Sequence, residues 1–266
     1  MNNLTQRILT GSAYVAIILL AITNPLFIGT LFALVAVLGI FELKKIFEKQ
    51  NIDFDIWPTI IIGLTTFTTI IHPEINSILF LEIFIYFISL LFRTSKNGLK
   101  LSGALFFSLV YIFIPLALVI PIAHKSEVYE YKTLFGLFIL IWSSDSWAYV
   151  SGRLFGKRKL FERLSPNKTW EGFWGSVILT IASAYALSVN GFGLSSSEWM
   201  ILGGLTVFAA TIGDLFQSML KRSSNIKDSG NILPGHGGIL DRFDSILFCL
   251  PTYYIYFDYL SPMLNF

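Results

Sequence analysis

Six acids stand inside or at the edge of strongly apolar runs: Glu82, Asp145, Asp214, Asp241, Asp244 and Asp258. Ionisable groups at membrane depth are costly and generally mark function. Asp214, Ser218 and Lys221 are spaced by four and three residues, so on a helix they share one face, and Asp241, Asp244 and Ser245 share a face in the same way. Carboxylates without matching thiols or histidine pairs suit a hard cation such as Mg²⁺, with room for a second cation. The competing reading pairs each acid with a nearby Lys or Arg. Between the two acidic faces run Lys221, Arg222, Lys227 and Asp228, then Gly230, Gly235, His236, Gly237 and Gly238. Glycines let backbone N–H groups approach an anion closely. Cations, glycines and carboxylates together are the parts needed to hold a nucleoside triphosphate and its metal. No Gly-x-x-x-x-Gly-Lys-Ser/Thr occurs, so this is no P-loop; the competing reading of the glycines is an ordinary flexible turn, although a turn rarely needs Pro-Gly-His-Gly-Gly between two charged helix ends. For His236, a phosphate donor or proton shuttle and a backbone-satisfied turn histidine stand level.

The elements that position these groups follow from hydropathy. The chain has 266 residues, of which 54% are hydrophobic and 14% charged, against about a quarter charged in soluble domains. Its net charge of +2 argues for no nucleic-acid partner. The lone Cys249 forms no intrachain disulfide and completes no zinc pattern. A spanning helix needs roughly 20 apolar residues. Candidate spans cover 8–23, 26–41, 57–71, 78–92, 103–123, 133–150, 173–189, 199–216 and 246–264. The first is read as a retained helix, because no small-residue cleavage site follows it. With about nine spans, every Lys and Arg except Lys125 and Lys132 falls on one side. The positive-inside rule makes that side, with the N-terminus, cytoplasmic. Asp145, Asp214, Asp241 and Asp244 then lie at one cytoplasmic depth, while Glu82 and Asp258 lie toward the outer side. Trp57, Trp199 and Tyr259 fit interfacial aromatic belts, and Cys249 is lipid-facing or packed. The expectation is an all-α, polytopic integral membrane protein. Residues 1–130 form N-terminal helices, and 131–266 a catalytic region with cytoplasmic loops.

The segment from Ser218 resembles the signature of the phosphatidate cytidylyltransferases, also called CDP-diacylglycerol synthases. It reads Ser218-Met-Leu-Lys221-Arg222, Lys227-Asp228, His236-Gly237-Gly238 and Asp241-Arg242-Phe243-Asp244, matching every fixed position over the 27 residues from Ser218 to Asp244. Ser165-Pro166-Asn167-Lys168-Thr169-Trp170-Glu171-Gly172 is similar to a second family stretch. Asp145 to Lys157 is similar to a third, with Trp147 where that run carries a small residue.

The resemblance implies transfer of the cytidylyl group of CTP to phosphatidic acid, giving CDP-diacylglycerol and pyrophosphate, at a multi-pass site facing the cytoplasm from the inner membrane. A homodimer is compatible with the family. By this reading Asp214, Asp241 and Asp244 are metal ligands, and Ser218, Lys221, Arg222, Lys227, Asp228 and His236 serve the reaction. Asp145, Ser165, Lys168, Thr169 and Glu171 bind CTP, and Glu171 is placed to orient Lys168. Two rivals remain at this stage: a CTP-dependent polyprenol or phytol kinase, which would release CDP, and an ion-coupled transporter, which would show mid-membrane polar groups and internal symmetry.

Overall fold

Apolar runs too long to be satisfied by water fold as helices, because lipid offers the backbone no hydrogen-bond partner. The computed structural model describes residues 3–93, 97–124, 129–232, 235 and 237–264, with the side chains of residues 3–8 left aside. Among these residues helices occupy all nine expected stretches: α1 (Asn3–Ile22), α2 (Pro25–Lys49), α3 (Ile56–Ile71), α4 (Asn76–Leu91), α5 (Gly98–Ala123), α6 (Tyr131–Phe155), α7 (Trp170–Val189), α8 (Ser196–Ser223) and α9 (Leu240–Ile255). The last continues through a π turn, Tyr256–Leu260, to Met263. Pro25, at the first helical position of α2, opens that helix with a preset φ. Six of the helices are long and apolar enough to cross a membrane, and α1 and α3 supply shorter apolar runs. The fold is that of an all-α multi-pass membrane protein. On α4 only Tyr86 is buried, while Phe80 and Leu91, with Phe92 just beyond the helix, are 72%, 81% and 84% exposed, as lipid-facing side chains would be.

Two local features depart from the sequence reading. The loop after α6 contains a small antiparallel hairpin, β1 (Lys159–Phe161) with β2 (Ser165–Thr169). Trp199 is fully buried, its ring lying where a Cβ on Gly136 would sit, so it is a packing residue and not part of an interfacial belt. Trp57 and Tyr259 are exposed, 67% and 58%. Cys249 is packed inside.

The described chain clusters into two compact units that do not follow chain order. The first comprises Met1–Ala21, Leu26–Pro121 and Leu220–Asp241. The second comprises Ile22–Pro25, Ile122–Met219 and Arg242–Phe266. The segment Leu220–Asp241 belongs by contact with the N-terminal helices.

Candidate active site

In the second unit the site is built on α6 and α7. Three glycines let these elements meet. A Cβ on Gly172 would press on the Ala148 carbonyl and the Gly152 backbone, and one on Gly156 would overlap the Gly152 carbonyl and Thr169. Thr169 caps α7 by accepting from the Gly172 N–H at 3.1 Å. The carboxylate of Glu171 accepts from the N–H groups of Lys157 at 2.9 Å and Arg158 at 3.1 Å. Glu171 therefore pins the turn between α6 and the hairpin, and Trp170 N–H donates back to the Arg158 carbonyl. These bonds hold β2 so that Lys168 reaches Asp214 on α8, with Nζ 2.6 Å from the carboxylate. Asp145 stands close enough to Lys168 and Asp214 to feel both charges. A cavity of about 260 Å³ opens here, lined by Asp145, Tyr149, Ser165, Lys168, Thr169 and Phe173 among others. Its lining combines apolar and aromatic side chains with a lysine, an acid and hydroxyl groups, a lining suited to part of a small polar molecule.

The same unit holds the start of α9. A Cβ on Gly213 would overlap the carbonyl of Asp244, so α8 and α9 cross with backbone against backbone beside Asp214. Asp244 is 9% exposed, and one of its carboxylate oxygens accepts from Ser245 N–H at 2.7 Å. Ser218 is likewise buried on α8.

In the first unit the signature segment folds around a second lysine–aspartate pair. Lys221 Nζ lies 2.7 Å from Asp241 Oδ1, with 13% and 9% of the two side chains exposed. Asp241 Oδ2 accepts from Ser229 N–H at 2.9 Å and Gly238 N–H at 3.1 Å. Burial alone would raise the Asp241 pKa. The Lys221 ammonium and the two N–H donors outweigh it and hold the carboxyl below its ordinary value. Gly237 has φ +84°, a conformation that favours glycine. The N–H groups that the glycines were expected to offer an external anion are thus given in part to the protein's own carboxylates. Arg222 donates to the Ile226 carbonyl at 3.2 Å, and Lys227 and Asp228 are exposed. His236 lies outside the described residues.

One acid that the sequence reading passed over belongs with this segment. Glu42 on α2 is fully buried, and its carboxyl oxygens accept from Ser229 Oγ at 2.7 Å, Ile239 N–H at 2.8 Å and Leu240 N–H at 3.0 Å. The only sequence signal was an acid one residue beyond an apolar run.

Among the described residues no three His, Cys, Asp or Glu side chains gather as a metal cluster. The oxygen donors still fit Mg²⁺, which takes one or two carboxylates and completes its shell with phosphate oxygens and water. Asp214 and Asp241 each already seat a cation, the ammonium of a lysine.

The family model of the cytidylyltransferase family matches residues 5–260. The chain is 34% identical to the phosphatidate cytidylyltransferase of Bacillus subtilis over 268 residues, covering 96% of this chain and 97% of that one. It is 32% identical to the phosphatidate cytidylyltransferase of Haemophilus influenzae over 292 residues, covering 96% and 99%. With the Staphylococcus epidermidis protein of the same name identity rises to 40%, over 59% of this chain. A match of this extent, with three of the four residues of the two lysine–aspartate pairs lying in the matched stretches, places the protein: the chain belongs to the cytidylyltransferase family.

Proposed function

We propose that the protein transfers the cytidylyl group of CTP to phosphatidic acid, forming CDP-diacylglycerol and releasing pyrophosphate. The observation that carries this reading is the near-full-length similarity to two proteins named for that activity. The ion-paired lysines and aspartates supply the chemistry. A phosphate oxygen of phosphatidic acid bonds to the α-phosphorus of CTP as the bond to the β-phosphate oxygen breaks. The second pKa of a phosphate monoester is about 6, so the nucleophile is largely ionised at neutral pH and needs no strong base. What remains is positioning and charge neutralisation. Lys168, with Asp145, Ser165 and Thr169 around the cavity, binds CTP, and Glu171 keeps that loop in place. Lys221, Arg222 and Lys227 face phosphates, Ser218 orients one of them, and Asp228 and His236 serve the same segment. Asp214, Asp241 and Asp244 are the oxygens that would hold Mg²⁺, whose contribution when bound is to neutralise phosphate charge.

The test is incubation of purified protein with labelled CTP, phosphatidic acid and Mg²⁺. A labelled CDP-lipid and stoichiometric pyrophosphate are expected. Release of CDP would assign the protein to the lipid kinases instead.

The finer topology is part of the proposal: nine spans, the N-terminus and motif loops in the cytoplasm, residence in the inner membrane, and assembly compatible with a homodimer. The lopsided distribution of Lys and Arg supports it. Single cysteines report the sidedness, since native Cys249 is buried and gives little background. In intact cells an impermeant maleimide should label Asn190→Cys, between α7 and α8, and spare Glu162→Cys in the hairpin. The reverse pattern would invert the topology.

A further inference from the structure

We infer that Glu42 is a positioning residue for cytidylyl transfer, holding the signature segment through its backbone. The inference rests on the function proposed above and adds a residue that lies outside the matched motifs.

Glu42 has none of the surroundings of a surface acid. It is fully buried, and both of its oxygens are used: Oε1 accepts from Ile239 N–H, while Oε2 accepts from Leu240 N–H and Ser229 Oγ. Ile239 and Leu240 stand at the N-terminus of α9, where the first N–H groups have no helical partner and an acid is favoured. Asp241, the next residue, is the acid paired with Lys221. Ser229 ties the other end of the segment, because its N–H donates to Asp241 and its hydroxyl to Glu42. One carboxyl group therefore joins both ends of the loop that presents Asp241. Gly230 and Gly238 complete the arrangement, since a Cβ on either would overlap the Glu42 carboxyl group. Other contacts between α2 and the end of α8 set the depth of this docking: Ser224 Oγ donates to the Ile46 carbonyl at 3.3 Å, and Gln50 donates to Ser223 and Ser224.

Glu42→Gln separates positioning from bulk. The amide has nearly the same shape, so little cavity is left. Its NH₂ must face either the N–H of Ile239 or that of Leu240, and in either orientation one backbone donor loses its acceptor. The expected result is a fall in kcat of about ten- to a hundredfold with the KM for CTP within threefold, in protein that purifies and melts as a folded species. Amide exchange over 226–232 and 237–241 should quicken relative to α6 and α7. Ser229→Ala, which removes one of the three bonds, should lower kcat by a few fold. Gly238→Ala, which drives a methyl group into the Glu42 carboxyl, should reproduce the Glu42→Gln split. Should Glu42→Gln prove too unstable to purify, Ser229→Ala and Gly238→Ala carry the same comparison. Unchanged kcat in the variants, or activity that falls only in step with the folded fraction, overturns the role of Glu42. Loss of the transfer reaction in the unmodified protein would instead overturn the functional reading, so the two failures are distinguishable.

Discussion

Asp241→Asn should lower kcat by a hundredfold or more and also reduce the thermal midpoint of the purified protein. Both effects follow from the geometry of one carboxylate. Asp241 gives one oxygen to the Lys221 ammonium and the other to two backbone N–H groups. Asparagine cannot reproduce this set. With its oxygen kept toward Ser229 and Gly238, its NH₂ faces a buried ammonium; rotated, the NH₂ faces two N–H donors. Removing one partner of a buried pair costs about 3–5 kcal/mol, because the remaining charge is left uncompensated. The pair is 13% and 9% exposed, so solvent offers little relief. The catalytic loss has a separate origin. Misplaced charge at a phosphoryl-transfer centre costs about tenfold per 1.4 kcal/mol of lost transition-state stabilisation, and Lys221 loses its anchor together with one of the oxygens proposed to hold the cation. Thermal denaturation and steady-state kinetics on the same preparation separate the two effects. An Asp241→Asn protein with normal Mg²⁺-dependent turnover would falsify the assignment of Asp241 to the site.

The helices were legible because long apolar runs leave the backbone only one arrangement in lipid. Their ends were less so. Hydropathy ends the second span at Phe41, yet α2 continues to Lys49, since Lys and Glu are good helix formers and a helix need not stop where its side chains become polar. That difference concealed Glu42. Its partners lie 187 to 198 residues further along the chain, and no local spacing encodes such a contact. The hairpin was hidden for a related reason: strands of three and five residues, one containing Pro166, show no alternating pattern. Motif spacing singled out Lys168, Lys221 and Asp241, and hydropathy Asp214, as candidates for chemistry. It left open which lysine meets which acid. Glu171, expected to orient Lys168 across three residues, instead holds the backbone of Lys157 and Arg158. A side chain's distance to a loop N–H depends on how the chain turns, which residue types alone do not specify.

The pair at Lys168 predicts an outcome opposite in kind to the one at Asp241. Lys168→Met should raise the KM for CTP by about ten- to a hundredfold while leaving the melting midpoint nearly unchanged. The two pairs have similar lengths, 2.6 and 2.7 Å, so distance does not separate them. Exposure does. Lys168 and Asp214 keep 31% and 30% of their side chains open beside the cavity, and a pair so exposed contributes about 0–1 kcal/mol to folding. Its removal leaves Asp214 able to take water or a cation in place of the ammonium, and methionine retains the apolar stem that packs along the cavity wall. What is lost is a positive charge beside a space lined by Asp145, Ser165 and Thr169. A triphosphate entering that space would draw the ammonium away from Asp214, freeing the carboxylate for the cation that accompanies the nucleotide. Binding would then exchange one ion pair for two. Measuring KM for CTP and for phosphatidic acid separately tests this exchange. The CTP value alone should move, and an equal shift in both, or a large fall in thermal midpoint, would place Lys168 in the folding of the loop instead of at the nucleotide.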